Sequence, residues 1–206
     1  MKLLYVKGSP RGTSSQSTKV AEATLAAYQK KNPGATIDEI GLWETPLPEF
    51  DGDRAAAKMS FFGEGKLDGV RKTVWDEIVT ITSRFTSATD YLFTVPMWNS
   101  GIPYRLKLYI DIITQPGLLF GFDPVAGYSG LLKGKRATVI YTSGVYAPGV
   151  PPAFGTDHHS TYMDDWLRLI GITDISTVRF QPTLLTNDAA GGLEKARVAA
   201  TKSGTR

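Results

Sequence analysis

Short apolar runs alternate with helical patterns along most of this chain. The clearest helical pattern covers residues 67–85, where apolar side chains return every three or four positions and so line one face of a helix. Further helices are predicted from Ser17, from Pro103, around Tyr162 and from the region of Leu193. The apolar runs between these patterns predict five strands, at residues 3–6, 35–40, 90–95, 137–141 and 174–180.

This alternation predicts one parallel sheet covered by helices, because strands that are buried on both faces read as short, continuous apolar runs. Residues 45–54 are interrupted by Pro and Gly, and we interpret them as a surface excursion, that is, a loop on the surface of the domain, rather than a linker between domains. A chain of 206 residues is long enough for one such α/β domain. We therefore expect a single domain over residues 1–206.

Polar, glycine-containing segments follow three of the predicted strands, at residues 8–17, 96–101 and 142–144. In open parallel sheets, ligands bind beyond the carboxyl ends of the strands, at the switch point between the first and third strands. The first segment also precedes a helix, whose N-terminal N–H groups and dipole match a phosphate dianion. The alternative is that its Ser and Thr side chains only cap the helix and shape a turn. The motifs GxxxxGK(S/T) and GxGxxG are absent, which disfavours ATP hydrolysis and a Rossmann-type NAD site.

The composition excludes several kinds of chemistry. The chain contains no cysteine, which excludes thiol nucleophiles, dithiol redox centres and cysteine-ligated clusters, so redox chemistry requires a bound cofactor. The net charge of +3 is spread along the chain as single Lys and Arg residues, which disfavours nucleic-acid binding. The apolar runs are too short for a signal peptide or a membrane span, so we expect a cytoplasmic protein without a membrane partner.

A hydrolase is one alternative, suggested by Asp157, His158 and His159 together with Ser143. The nucleophile elbow GxSxG is missing, however, because Ser143 lies in the sequence YTSGV. Two adjacent histidines also suit a metal site poorly, and the chain has no other histidine. We therefore predict no metal site and interpret the pair as polar residues at the start of a helix.

Several short motifs occur in a characteristic order from the first strand to the last helix. They are Ser9 with Ser15-Gln16-Ser17, Pro46-Leu47-Pro48 with Asp51-Gly52, residues 96–99 (PMWN), Leu106-Lys107 with Asp111, Gly130-Leu131 with Gly134-Lys135, residues 142–144 (TSG) and residues 171–174 (GITD). In this order the chain resembles the FMN-dependent NADH azoreductases and quinone reductases of the flavodoxin-like fold. Each motif alone is weak, whereas the ordered set is specific and spans nearly the whole chain.

The resemblance implies a flavodoxin-like, doubly wound five-stranded parallel sheet of order 2-1-3-4-5, with helices on both faces. It implies an enzyme in which bound FMN receives hydride from NADH or NADPH and reduces a quinone or azo compound in two half-reactions. In such an enzyme no catalytic side chain is required, because the protein supplies orientation, electrostatics and a dry stacking surface. The resemblance also implies a homodimer with its active sites near the interface.

The same resemblance implies which residues bind the cofactor. At Trp98 the family usually has Tyr, and at Val145 it usually has Gly. Phe120 would stack near the flavin, although an aromatic residue in such a loop is often only a core or loop anchor. Backbone N–H groups of Asn99 and Gly144 would tune the ring. The implied cofactor-binding set is Ser9, Ser15, Gln16 and Ser17 at the phosphate, Met97, Trp98, Asn99 and Ser100 at the isoalloxazine edge, and Thr142, Ser143, Gly144 and Val145 at the pyrimidine side.

Two alternatives to the enzyme remain. A flavodoxin-type electron carrier would use the same site without catalysis of its own, but such carriers are typically strongly acidic for docking, and this chain has a net positive charge. A flavodoxin-like scaffold that has lost its flavin is the other alternative. The colour of the purified protein distinguishes the scaffold, and NADH oxidation without a partner protein distinguishes the carrier.

Overall fold

The computed structural model describes residues 1–206 and consists of one five-stranded sheet with helices on both faces, plus a small hairpin. The strands are β1 (Lys2–Lys7), β2 (Thr36–Gly41), β3 (Asp90–Pro96), β4 (Phe120–Asp123), β5 (Gly127–Gly130), β6 (Arg136–Thr142) and β7 (Asp174–Phe180). The helices are α1 (Gln16–Lys31), α2 (Gly52–Met59), α3 (Gly69–Thr86), α4 (Tyr104–Ile113), α5 (Ser160–Leu169) and α6 (Ala189–Gly204), with short 3₁₀ turns at Gly12–Ser14, Ser60–Phe62 and Pro152–Phe154.

All neighbouring strands of the large sheet run parallel, in the order β2-β1-β3-β6-β7. This order confirms the predicted order 2-1-3-4-5, because β4 and β5 pair only with each other and lie outside the sheet. The chain places β2 on one side of β1 and then β3 on the other side, so the order of the strands reverses between β1 and β3. The carboxyl ends of these two strands therefore form the switch point at which the sequence predicts a ligand.

Successive side chains of β1 point to opposite faces of the sheet and belong to two hydrophobic clusters. Leu4 and Val6 join the larger cluster with residues of α3, α4 and α5, whereas Leu3 and Tyr5 join the smaller cluster with residues of α1 and α6. Burial on both faces explains why β1 and β3 read as continuous apolar runs. None of the helices is long and apolar enough to cross a membrane.

The structure adds two elements that the hydrophobic pattern does not predict. Helix α2 begins within the predicted surface excursion, because the Asp51 carboxylate accepts a hydrogen bond from the Arg54 N–H at 3.1 Å and the buried Ala57 docks the helix. The β4–β5 hairpin is short and mostly exposed, so it lacks an apolar run. Helix α6 also begins at Ala189, ahead of the predicted Leu193, because the Asp188 side chain accepts a hydrogen bond from the Gly191 N–H.

Candidate functional site

A cleft of about 320 Å³ lies at the carboxyl edge of the sheet, beyond the ends of β1, β3, β6 and β7. Eight of the twelve residues that the sequence predicts to bind a cofactor line it, so three loops separated in sequence meet at one place. The lining residues are Ser9, Arg11, Ser15, Gln16, Pro96, Met97, Trp98, Thr142, Ser143, Gly144, Thr183 and Leu184.

The segment between β1 and α1 forms one end of the cleft. Ser15 caps α1, since its hydroxyl accepts a hydrogen bond from the Thr18 N–H at 3.4 Å, and its Oγ lies 2.9 Å from the buried Ser17 Oγ. The N–H groups of Gln16 and Ser17 donate to no acceptor in the protein. Unbonded N–H groups at the positive end of a helix are what a phosphate requires.

Gly8 brings the end of β1 close to β3 at the start of this segment. Its N–H donates to the Thr94 carbonyl at 3.2 Å, and a Cβ atom at Gly8 would lie only 2.5 Å from that carbonyl oxygen. Glycine is therefore required here because of a close approach of two backbones, even though its φ is not positive. The approach sets the position of Ser9 at the mouth of the cleft.

A sharp turn after β3 presents Trp98 to the cleft. Trp98 and Gly101 exchange backbone hydrogen bonds of 2.9 and 3.0 Å across Asn99 and Ser100, which both have positive φ, at 48° and 67°. Such a two-residue turn favours Asn and Gly, so Ser100 holds a sparsely populated conformation. The turn leaves the Trp98 side chain 47% exposed beside the cleft.

The loop after β6 is bonded to the loop after β7. The Thr183 N–H donates to the Ser143 carbonyl at 2.8 Å, and the Leu184 N–H donates to the Gly144 carbonyl at 2.9 Å. The Gly144 N–H itself donates to no acceptor in the protein. The sequence pattern does not single out Thr183 and Leu184. They nevertheless follow a parallel strand, which is the feature that predicts the other three loops.

Asp157 bonds to its neighbours in the loop that precedes α5. Its Oδ1 lies 2.9 Å from His159 Nδ1 and accepts a hydrogen bond from the Ser160 N–H at 2.8 Å. The neighbouring His158 N–H donates to the Ser100 carbonyl at 3.0 Å and so reaches the Trp98 turn. The loop that contains Asp157 is thus bonded to the Trp98 turn.

His159 corrects the interpretation of the histidine pair as polar helix-start residues. Its side chain is fully buried, and the residue that caps the start of α5 with its side chain is Asp157. Burial lowers the pKa of His159 below its usual value, and the Asp157 carboxylate offsets this effect only in part. His159 is therefore neutral at pH 7 and belongs to the internal support of the site.

The hydrolase alternative has no geometric basis. The Ser143 hydroxyl donates to the Tyr146 carbonyl, while the ring nitrogens of His159 face Asp157 and Gln181. Without a bond from serine to histidine there is no activated nucleophile. The structure also contains no group of three His, Asp or Glu side chains placed to hold a metal ion.

Five of the predicted residues lie outside the lining of this cleft. Ser17 lies behind Ser15, and Asn99 lines a neighbouring cleft that shares Trp98. Ser100 and the exposed Val145 line neither cleft. Phe120 is buried in the β4–β5 hairpin, where its ring packs 5.4 Å from that of Tyr128, so the structure does not bring it to the cleft of the same chain.

Comparison with known proteins assigns the chain to a family. The family model Flavodoxin_2, described as a flavodoxin-like fold, matches residues 1–203. The chain belongs to this family. Its fold and the resemblance noted in its sequence are thereby confirmed.

Individual flavodoxin-like relatives cover nearly the whole chain. A protein of Ruegeria pomeroyi named FMN-dependent NADH:quinone oxidoreductase is 53% identical over 97% of this chain and 98% of its own. A protein of the same name from Desulfotalea psychrophila is 43% identical over 89% of this chain and 86% of its own. The crystal structure of an FMN-dependent NADH-azoreductase from Bacillus anthracis, in complex with FMN, matches with a TM-score of 0.87 and 28% identity, over 100% of this chain and 98% of that one.

Proposed function

We propose that this protein is an FMN-dependent NADH:quinone oxidoreductase that also accepts azo compounds. The observation that carries the proposal is the start of α1, where two unbonded N–H groups and two serine hydroxyls lie together at one end of the cleft and match a monophosphate. Relatives that span nearly the whole chain are named for this cofactor and reaction. Oxidation of NADH by the purified protein, with a benzoquinone as acceptor and no added partner protein, tests the proposal.

The residues around the cleft fit FMN in their chemistry. Hydroxyl and N–H donors cluster at the α1 end, and Met97, Trp98 and Leu184 supply apolar surface elsewhere in the lining, as a molecule with a phosphate tail and a flat ring requires. We propose the full set implied by the sequence. It comprises Ser9, Ser15, Gln16 and Ser17 at the phosphate, Met97, Trp98, Asn99 and Ser100 at the ring edge, and Thr142, Ser143, Gly144 and Val145 at the pyrimidine side.

Bound FMN would supply hydride transfer, and the chain would supply position and electrostatics. The Gly144 N–H has no acceptor in the protein and is held by the bonds between the β6 and β7 loops, so it is free to stabilise negative charge on a ring. Trp98 supplies an apolar surface that excludes water. No side chain of the site needs to act as an acid or base.

Ser17→Ala is expected to weaken FMN binding about 10- to 100-fold. We expect the buried Ser17 hydroxyl, which lies 2.9 Å from Ser15 Oγ, to turn to the phosphate, and a hydrogen bond to a charged group contributes about 1.5–3 kcal/mol. The substitution removes one of the two serine hydroxyls that face each other at the α1 start. Fluorescence titration of the apoprotein with FMN measures the change. Ser17 would be only a helix residue if the dissociation constant stayed the same while the protein remained folded.

We expect NADH and a benzoquinone to bind in turn, because both must reach one ring beside Trp98. Initial rates at several fixed quinone concentrations should give parallel double-reciprocal lines, as in a ping-pong mechanism. Lines that intersect would show a ternary complex and contradict a shared site. Oxidation of NADH that required an added partner protein would favour the electron carrier instead.

The proposal extends to the state of the protein. We propose a cytoplasmic homodimer whose chain folds as one domain and which prefers NADH over NADPH, in line with the names of its relatives. The exposed ring of Phe62, in the turn after α2, lies 6.2 Å from that of Phe122, which lies 5.0 Å from that of Tyr128 in the hairpin; together they provide an apolar surface for association. Light scattering measures the mass of the assembly.

A further inference from the structure

A second cleft, of about 260 Å³, lies beside the proposed FMN cleft and shares Trp98 with it. Its walls are almost entirely aromatic or prolyl. Both Trp98 and Tyr104 are exposed, at 47% and 69%. The cleft is lined by Pro10, Trp43, Trp98, Asn99, Pro103 and Tyr104.

The aromatic walls are held in place before any ligand binds. The Trp43 indole N–H donates to the Gly8 carbonyl at 3.0 Å, and the Trp43 and Tyr104 rings meet edge to face at a centroid distance of 5.1 Å. Arg105 fixes the chain on both sides of Trp43, since its guanidinium donates to the carbonyls of Leu42 and Thr45, each at 2.8 Å. A preorganised aromatic surface loses little entropy when a flat molecule stacks on it.

The polar groups around the cleft indicate what kind of molecule stacks there. None of the lining residues is charged, which favours a neutral planar ring. The Tyr104 hydroxyl and the Asn99 amide make no hydrogen bonds within the protein and are free to contact ring nitrogens. Adenine is neutral and planar and presents such nitrogens.

Arg11 provides the charge that the aromatic cleft lacks. It follows Pro10 directly, lines the FMN cleft, and its guanidinium forms no ion pair with any carboxylate of the chain. An unpaired guanidinium next to an aromatic cleft matches a pyrophosphate next to an adenosine.

We propose that the cleft of Trp43 and Tyr104 binds the adenosine half of the nicotinamide dinucleotide donor, with its pyrophosphate at Arg11. This inference rests on the proposed function, because it assigns the donor's remote half to a place beside the FMN cleft. Binding energy from that half would hold the nicotinamide near Trp98 without contacting the acceptor. The acceptor would then use the inner site alone, in keeping with ping-pong kinetics.

The test is calorimetric titration of the FMN-loaded protein with ADP-ribose, which carries the adenosine and pyrophosphate but no nicotinamide. Loss of a stacked ring weakens base binding about 5- to 100-fold, so Tyr104→Ala should raise the dissociation constant within that range, while Tyr104→Phe should retain most of the affinity. Arg11→Ala should weaken ADP-ribose but leave adenosine unaffected. Phe61→Ala, which removes an exposed ring outside both clefts, should bind like the parent protein.

Three results would overturn the inference: no binding of ADP-ribose, equal affinity for Tyr104→Ala and the parent, or loss of menadione binding rather than ADP-ribose binding in Tyr104→Ala. Circular dichroism of each variant shows that the chain is folded. Titration of the apo forms of the same proteins with FMN keeps the two claims separate. Absence of FMN binding would contradict the proposed function, whereas absence of ADP-ribose binding with normal FMN binding would contradict only the adenosine site.

Discussion

Gly8→Ala is expected to raise the dissociation constant for FMN on the order of 100-fold, because the added methyl group would lie 2.5 Å from the Thr94 carbonyl oxygen. That oxygen belongs to the backbone of a buried strand and cannot rotate away. The ends of β1 and β3 must therefore separate, which moves Ser9 and the α1 start relative to the rest of the cleft. Overpacking of this kind also destabilises the fold by about 1–3 kcal/mol.

Gly34→Ala is the matched control for Gly8→Ala. A Cβ atom at Gly34 would meet no heavy atom within 4 Å, and its φ is not positive. This variant should bind FMN like the parent protein and unfold at a similar urea concentration. FMN affinity equal in the two variants would show that the close approach of β1 and β3 does not determine the site.

Asp157→Ala is expected to destabilise the protein by about 2–3 kcal/mol, less than for a fully buried pair because the Asp157 side chain is 17% exposed. The change leaves the buried His159 and the Ser160 N–H without their acceptor. It also releases the loop that reaches Ser100 through His158. We therefore expect weaker FMN binding as well as a lower midpoint in urea unfolding.

Asp165→Ala in the following helix α5 is the control, because Asp165 is exposed and forms no hydrogen bond or ion pair. A surface substitution of this kind usually changes stability by less than about 0.5 kcal/mol. Equal unfolding midpoints for the two variants would contradict the role of Asp157 as an anchor of its loop.

The sheet and most of the cleft could be predicted from the sequence because both depend on local signals. Buried parallel strands read as apolar runs, and the rule for carboxyl ends then locates Ser9, Met97 and Ser143 on one edge. Helix α2 and the β4–β5 hairpin could not be predicted in the same way. A cap at Asp51 and one buried alanine stabilise α2, and neither stands out in a Pro- and Gly-rich segment.

The contacts within the site depend on chain segments that are distant in sequence. Nothing in the adjacent residues His158 and His159 shows that one is buried against Asp157 while the backbone of the other bonds to Ser100. The position of the Phe120 ring could not be predicted for the same reason, since the packing of its hairpin decides which way the ring points. Only the folded chain determines these pairings.

The most direct test of the proposed function is to identify the flavin and titrate it anaerobically with NADH. We expect the purified or reconstituted protein to be yellow. Heating should release FMN rather than FAD, and NADH alone should bleach the visible flavin band. Release of FAD would contradict the monophosphate site at α1. A bound flavin that NADH leaves oxidised would contradict the oxidoreductase and leave the electron carrier in its place.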